Sequence, residues 1–359
     1  RMKISTGSDQ LASYGIETNR SQSNKFSSSV RKVVNCCIPT QKSSTNNDFY
    51  SNSLEGLVPP LTGRPLSART IQVFTHNNAN KKMSKSMCES IVNNSTSDII
   101  FISTEEMKNL SGAMKEFIGR SQYVIVLNSA QKMVTVTKPK ELLSLVSNPS
   151  TTAQITLVKK GITAPNIIDS FTYRDILNNP NKGGTITIQK IGDMKIAMVN
   201  IHLDSRDQDE RKKEINAILC KITTKHPDVN HIVLSGDFNT RNRKLHGQLV
   251  RALQDTESFR SELGVPEKYE IKLPVIFQQE NTYKWEADTN AKAKKGSKRR
   301  ENGEMQSGYL DGVAILTPKE KINTSNCSTM ILPEGKSIIG SSFGSDHRSV
   351  TVRLNIDKT

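Results

Sequence analysis

The sequence predicts an α/β fold of the α+β kind, in which β-sheets pack together and a few helices flank them. Two observations carry this prediction. Short apolar runs with the composition of strands recur along most of the chain, and only a few segments between them show the periodicity of a helix. The two kinds of segment interleave irregularly and show no internal repeat, which favours packed sheets over a repeat array.

The first 65 residues differ in composition from the rest. Residues 1–65 are rich in Ser, Asn, Thr and Gln and have almost no periodic apolar pattern, so we expect a Ser/Asn-rich arm or linker that is poorly ordered or extended. Residues 66–359 form the predicted folded domain. Within it, the lysine-rich stretch near residues 286–306 has nothing to bury, which predicts a solvated basic insertion.

The predicted strands are rich in Val, Ile and Thr and are bounded by polar residues. They cover residues 70–77, 97–104, 121–128, 131–137, 153–160, 184–191, 194–203, 230–239, 312–318 and 347–356. Helices are predicted at residues 81–94, 210–225 and 244–255, and the middle one places Ile215, Ile218, Leu219 and Ile222 on a single face.

Charge and cysteine content restrict the partners and the compartment. Lys and Arg exceed Asp and Glu by 15, which favours a polyanionic partner such as nucleic acid, an acidic membrane surface or a phosphorylated ligand. A merely solvated basic surface is the alternative. The five cysteines form no metal-type pair or disulfide ladder, and no run approaches the roughly 20 apolar residues of a membrane span. We expect a soluble monomer, cytoplasmic or peripheral to membranes, with secretion into a host cell as an alternative.

Several predicted strands end in side chains suited to phosphate chemistry with a divalent metal. Each could merely cap a turn, but together they form a set: Asn77, Glu105, Glu106, His202, Asp237, Asn239, Asp311, Asp346 and His347. Mg²⁺ prefers a few carboxylate and amide oxygens and keeps several waters, which leaves room for a phosphate. A carboxylate can activate water, and a histidine held by an aspartate can bind phosphate or protonate a leaving group.

The order of the short motifs "FTHNN", "TEEM", "IHL", "GDFN" and "SDH" resembles the endonuclease/exonuclease/phosphatase superfamily. The resemblance spans roughly residues 70 to 357 and implies a four-layered αββα sandwich of two mixed β-sheets flanked by helices. It also implies Mg²⁺ as the cofactor, with Mn²⁺ as a substitute. Glu106 is then the main metal ligand, aided by Asn77, with Asp346 close to the ion.

The same resemblance assigns the catalytic roles. Asp237 positions or activates the attacking water, and Asn239 holds a phosphate oxygen. His347 contacts the scissile phosphate with Asp311 as its orienting partner, and His202 adds hydrogen bonding.

Two further stretches are similar to inositol polyphosphate 5-phosphatases. "PNKGGTITI" supplies Asn181 and Lys182, and "NTYKW" supplies Lys284. These residues, with Arg241 after "GDFNT", would bind the ring phosphates of a phosphoinositide or a soluble inositol phosphate. Ordinary surface lysines and a hairpin turn are the alternative interpretation of Lys182 and Lys284.

One departure favours a different branch. The 5-phosphatase pattern has an Arg where this chain has Gly312, and the sequence "LDGVAI" is closer to nucleases. A Mg²⁺-dependent endonuclease acting on nucleic acid is therefore the main alternative. The chain has one Trp and no obvious platform for stacking bases, which favours the phosphatase. A binding module that uses the pocket without turnover is the third possibility.

Overall fold

The structure, a computed structural model, describes most of the chain from residue 67 onward. The described residues are 67–79, 81, 83–107, 118, 121–132, 151–175, 179–241, 243–245, 248–250, 253, 255–273, 282–283, 308–322, 329–331 and 337–357. The predicted arm at 1–65, the basic insertion near 286–306 and Lys284 lie outside them. The side chain of Asn181 is also outside the described part of the structure.

The first sheet is built around two parallel strands, β1 (Thr70–Asn77) and β2 (Ile99–Met107), and its other pairings among the described residues are antiparallel. Its strands are β1 (Thr70–Asn77), β2 (Ile99–Met107), β3 (Tyr123–Lys132), β4 (Thr151–Lys159), β13 (Thr329–Ile331), β14 (Ser337–Ile339) and β15 (Val350–Asp357). The spatial order is β13-β15-β1-β2-β4-β3, and β14 pairs with β15.

The second sheet repeats this plan around the parallel pair of β7 and β8. Its strands are β5 (Asn166–Asp175), β6 (Asn179–Ile191), β7 (Met194–His202), β8 (His231–Asp237), β11 (Tyr269–Lys272) and β12 (Asp311–Pro318). The spatial order is β11-β12-β8-β7-β6-β5. A separate hairpin pairs β9 (Arg243–Leu245) with β10 (Gln248–Val250).

The two sheets pack face to face over a core of Ile, Val, Leu and Phe. Buried polar contacts cross this apolar interface. The Ser103 and Ser235 hydroxyls lie 2.6 Å apart, and Asn200 Nδ2 donates to the carbonyl oxygens of Thr104 (3.1 Å) and Ala153 (2.8 Å). Since a buried polar group without a partner is costly, these contacts fix how one sheet sits on the other.

Helices cover the outer faces of the sheets. The helix α1 (Lys85–Asn93), capped by the Ser84 hydroxyl, buries Met87 and Ile91 in a second core cluster with the first sheet. The helix α2 (Gln208–Lys225), capped by Asp207, buries the predicted apolar face of Ile215, Ile218, Leu219 and Ile222. Two shorter helices are α3 (Thr256–Leu263) and α4 (Lys319–Ile322). The predicted α/β sandwich of two mixed sheets is confirmed.

The predicted helix at residues 244–255 is wrong, because β9 and β10 occupy this stretch and pair in register from Leu245 to Gln248. In the sequence, Gly247 lies between these strands and lowers the helix propensity of the stretch. The gap predicted between the strands at 121–128 and 131–137 is also wrong, since β3 runs unbroken from Tyr123 to Lys132. Residues 133–137 lie outside the described residues. Among the described residues, no helix is long and apolar enough to cross a membrane.

A substitution at Gly236 tests how closely the end of β8 packs against the backbone of the neighbouring strand β7. Its φ is +133°, and a Cβ placed on it would lie 2.1 Å from the Ile201 carbonyl oxygen of the neighbouring strand. We expect Gly236→Ala to lower the free energy of unfolding by at least about 3 kcal/mol, measured by urea denaturation.

Gly192→Ala is the matched control, since Gly192 also has a positive φ of +63° but nothing lies within 4 Å of its Cβ position. It should cost only the backbone strain, about 1–2 kcal/mol. Equal stability of the two variants would contradict a close approach of backbone at Gly236.

Candidate active site

The strand ends singled out in the sequence meet at one edge of the sandwich. The parallel pairing of β1 with β2 places Asn77 beside Glu105, and that of β7 with β8 places His202 beside Asp237. The antiparallel strand β12 begins at Asp311, directly opposite Asp237. Carboxyl ends of parallel strands necessarily share an edge, so the topology of both sheets gathers these side chains.

Asp237 is the buried centre of this edge. Asn77 Nδ2 donates to Asp237 Oδ2 (3.1 Å), and the backbone N–H of Asn239 donates to Oδ1 (2.9 Å). Burial raises the pKa of Asp237, but the charges of His347, His202 and Lys182 together outweigh it, so the pKa lies below its usual range. Asp237 is therefore ionised at neutral pH, as a base or water-orienting group must be.

His347 and Asp311 form a buried pair, with Nδ1 and Oδ2 2.7 Å apart. Burial lowers the pKa of His347, but the Asp311 charge and hydrogen bond outweigh it and raise the pKa to about 9. Burial also raises the pKa of Asp311 to about 6 in spite of His347. Between these values the pair is an imidazolium and a carboxylate. The Thr282 hydroxyl accepts from the backbone N–H of Asp311 (2.9 Å) and holds the strand start in place.

Glu106 sits in a β-bulge, where the pairing of β2 with β4 shifts between Thr104 and Met107 and the φ of Glu106 is +50°. The bulge turns its carboxylate toward the second sheet, so that Oε1 lies 3.7 Å from His202 Nε2. Burial raises the pKa of Glu106. Bulges commonly re-aim a side chain beside an active site, and a positive φ at a non-glycine residue stores strain that functional sites tolerate.

His202 and Lys182 form a second pair of interacting side chains at this edge. The Lys182 ammonium group hydrogen-bonds Nε2 of the buried His202, and the same nitrogen lies 3.6 Å from Asp237 Oδ2. Burial, helped by the Lys182 charge, lowers the pKa of His202 to about 3, so this imidazole is neutral and accepts from the lysine. Burial also lowers the pKa of Lys182, although Asp237 and Glu106 favour its charged form.

Asn239 and Arg241 lie on the segment that follows β8. Asn239 has a left-handed backbone (φ +53°), and its Nδ2 donates to the Leu203 carbonyl (2.9 Å). The buried Arg241 donates to Asn239 Oδ1 (3.3 Å), and its guanidinium lies 4.9 Å from the centre of the Tyr283 ring. The Tyr283 ring in turn packs on His347, with centroids 4.5 Å apart. Arg241 thus braces the groups around the predicted phosphate site.

The loop before β15 completes the edge. The buried Ser345 hydroxyl donates to the Asn77 carbonyl (2.7 Å) and accepts from the N–H of His347 (3.1 Å). Asp346 is half-buried, and its charge acts on both Glu106 and His347. Sequence reasoning missed Ser345, Thr282 and Tyr283 as supporting residues. Only the adjacency of Ser345 to Asp346 and of Thr282 and Tyr283 to Lys284 could have drawn attention to them.

The structure therefore brings together most of the predicted site residues at one sheet edge: Asn77, Glu106, Lys182, His202, Asp237, Asn239, Arg241, Asp311, Asp346 and His347. Their individual roles stay predictions. Asn181 lies on β6 beside Lys182, but its side chain is outside the described residues, as is all of Lys284.

The donor set fits a hard divalent cation held by few protein ligands. In the described part of the chain, no three His, Cys, Asp or Glu side chains form a ready-made metal cluster. Mg²⁺ usually takes only one or two carboxylates and completes its shell with water and substrate oxygens. Glu106, Asp346 and the amide oxygen of Asn77, which also accepts from the N–H of Ala79 (2.9 Å), offer oxygens of that kind.

Comparison with known proteins decides the family. The model of "Endonuclease/Exonuclease/phosphatase family 2" matches residues 74–265, more than half of the chain. The chain belongs to the endonuclease/exonuclease/phosphatase family. A search of curated proteins found no significant match.

Solved structures share the fold at low sequence identity. A Cimex nitrophorin, solved as a ferrous NO complex, is 11% identical with a TM-score of 0.55, over 82% of this chain and 100% of that one. The inositol polyphosphate 5-phosphatase domain of SPsynaptojanin, solved with inositol (1,4)-bisphosphate and a calcium ion, is 15% identical with a TM-score of 0.53, over 81% and 85%.

The His347–Asp311 pair predicts an unusual histidine titration. We expect the His347 Cε1 proton, followed by NMR, to titrate near pH 9, and the midpoint to fall well below that value in Asp311→Asn because the raising charge is gone. Since the folded pKa exceeds the ordinary 6.5, the stability from His347 is complete below about pH 6.5 and is lost as the pH rises through about 9.

His347→Ala identifies the resonance, and the buried neutral His202, with a pKa of about 3, is the internal comparison. A wild-type midpoint near the ordinary value, unchanged in Asp311→Asn, would contradict a charged pair.

Proposed function

We propose that this protein is a Mg²⁺-dependent phosphatase that hydrolyses a phosphate monoester of phosphoinositides or soluble inositol polyphosphates. The observation that carries the proposal is the arrangement around Asp237. An ionised carboxylate, a protonated His347 and the Lys182 ammonium converge within one buried edge of the sandwich. This combination provides a base, an acid and a phosphate-binding cation.

Each side chain has a role that its environment supports. Asp237 orients or deprotonates the attacking water, because it keeps its charge at neutral pH. His347, protonated through Asp311, donates a hydrogen bond to a phosphoryl oxygen and can release a proton to the leaving oxygen. Among the described residues, the Asn239 amide donates one N–H to the Leu203 carbonyl, and its other N–H can hold another phosphoryl oxygen. Lys182 binds a phosphate group at the rim.

A divalent ion at Glu106, with Asn77 and Asp346 nearby, would neutralise charge on the phosphoryl oxygens. Asn77 would have a second task, because its amide nitrogen already donates to Asp237. It would thereby keep the base at a fixed distance from the metal ligands.

The choice of substrate is supported by two findings. Lys182, in the "PNKGG" stretch that resembles 5-phosphatases, hydrogen-bonds His202 at this edge, and the SPsynaptojanin domain, which has a similar fold, was solved with an inositol bisphosphate. The excess of 15 positive charges would draw the enzyme to anionic membranes. A Mg²⁺-dependent endonuclease is the alternative, and the test below separates the two.

The first test measures Mg²⁺-dependent phosphate release from phosphoinositide liposomes and from soluble inositol polyphosphates, with supercoiled plasmid as a parallel substrate. We expect release from the inositol substrates and an intact plasmid. Asp237→Asn and His347→Ala should each lower the rate by about 10²–10⁴-fold, the usual contribution of a general base or acid. Asp228→Asn, an exposed aspartate that pairs with Lys195, is the control and should keep full activity.

Nicked plasmid without phosphate release would replace the phosphatase by the endonuclease. No turnover of any substrate, with the same result for all variants, would indicate a binding module.

A second test concerns Lys182. We expect Lys182→Ala to lower kcat/KM for inositol substrates by about 10–100-fold, because a charge-assisted hydrogen bond to phosphate contributes about 1.5–3 kcal/mol. Lys190→Ala is the matched control, since Lys190 lies exposed on the same strand, β6. Equal activity of the two variants would contradict a phosphate-binding role for Lys182.

A further inference from the structure

Strand β2 carries two adjacent carboxylates, and the structure turns both toward the second sheet. In a regular strand, Glu105 and Glu106 would point to opposite faces. Ser103 faces the second sheet, since its hydroxyl meets that of Ser235 at 2.6 Å. Glu105 lies two residues further along β2 and therefore shares this face.

The bulge changes the direction of the next side chain. The shift of pairing between Thr104 and Met107, together with the positive φ of Glu106, breaks the alternation. The Glu106 carboxylate consequently reaches His202 of the second sheet at 3.7 Å. Two neighbouring glutamates thus face the same space between the sheets.

Glu105 has little compensation for its burial among the described residues. Its side chain is fully buried, and neither carboxylate oxygen has a hydrogen-bond partner there. The carboxylates of Asp311, Asp237 and Glu106 repel its charge, and of the described groups around it the backbone N–H of Glu105 itself favours that charge. A buried carboxylic group without a hydrogen bond is costly to keep, so its presence beside three other carboxylates requires an explanation.

The strand positions also indicate which residue of the second sheet faces Glu105. Asp237 lies two residues beyond Ser235 on β8, just as Glu105 lies two beyond Ser103 on β2. Asp311 stands directly opposite Asp237 in the β8–β12 pairing and shares its face. Glu105 therefore lies between the sheets, on the side where the carboxylates of Asp237 and Asp311 also lie.

We propose that Glu105 is a further carboxylate of the divalent-metal site, which binds the cation beside Glu106 and is the reason why β2 is bulged at this point. The inference rests on the metal dependence in the proposed function. It goes beyond that function because it gives this chain an acidic residue at the metal site in addition to the predicted ligand. Bound metal would supply the positive charge that the described surroundings of Glu105 lack.

The test is a titration of the full chain with Mn²⁺, in which electron paramagnetic resonance measures the concentration of unbound Mn²⁺. The measurement needs no substrate. Glu105→Gln keeps the shape of the side chain and removes its charge. We expect it to weaken Mn²⁺ binding at least about tenfold, as loss of a group that supports a metal site commonly does. Glu106→Gln should weaken binding too. Glu89→Gln, an exposed glutamate of α1 paired with Lys85, is the control and should bind like wild type.

Thermal unfolding separates a metal-binding role from a structural one. Without metal, Glu105→Gln should unfold at the wild-type temperature or above it, because a buried unpaired carboxylic group has been removed. The rise in Tm on adding Mn²⁺ should be smaller than in wild type. Glu105→Asp retains a carboxylate at shorter reach and should bind Mn²⁺ with an affinity between those of wild type and Glu105→Gln.

Two results would overturn the inference. One is wild-type Mn²⁺ affinity in Glu105→Gln, and the other is a lower metal-free Tm with an unchanged metal-induced rise. If wild type itself binds no Mn²⁺, both this inference and the proposed metal-dependent function fail. If wild type binds Mn²⁺ and Glu105→Gln does so more weakly, while no inositol substrate is cleaved, the proposed substrate fails and the role of Glu105 stands.

Discussion

The alignment of the two sheets is the constraint on which the candidate site depends. An apolar interface alone would let one sheet slide on the other, because dispersion contacts have little directional preference. The buried contacts of Asn200 with the Thr104 and Ala153 carbonyls, and of Ser103 with Ser235, remove that freedom. Any other alignment would leave these groups buried without partners. The same alignment brings the ends of β1 and β2 against those of β7 and β8.

Burial and neighbouring charges then give the two histidines at this edge different protonation states. Two histidines lie close to Asp237, yet burial lowers the pKa of His202 to about 3, whereas Asp311 raises that of His347 to about 9. One imidazole is therefore a neutral acceptor and the other a charged donor at the same pH. Such a separation of pKa values between neighbouring groups is how a site holds a base and an acid at once. The supporting contacts of Ser345, Thr282 and Tyr283 keep these groups in place.

The fold by itself says little about the reaction. A nitrophorin and an inositol polyphosphate 5-phosphatase domain resemble this chain to a similar extent, at TM-scores of 0.55 and 0.53, although one was solved with NO and the other with an inositol bisphosphate. The case for phosphate chemistry therefore comes from the side chains at the sheet edge, where function is carried. Lys182, Asp237 and the His347–Asp311 pair have the charges that a phosphoryl group needs.

The sequence by itself determined the fold class and most of the site, because alternating apolar residues mark strands and polar residues at strand ends mark an edge. Asp237 and His347 were found in this way, whereas Lys182 was predicted from the resemblance of the "PNKGGTITI" stretch to inositol polyphosphate 5-phosphatases. It failed at residues 244–255, where local helical spacing was overridden by a hairpin, and it could not find the bulge at Glu106. Only the tertiary structure decided how Glu105 and Glu106 face, because backbone pairing between strands distant in sequence creates the bulge. It alone also decided the charge of each histidine, since burial and the nearest carboxylate set the pKa.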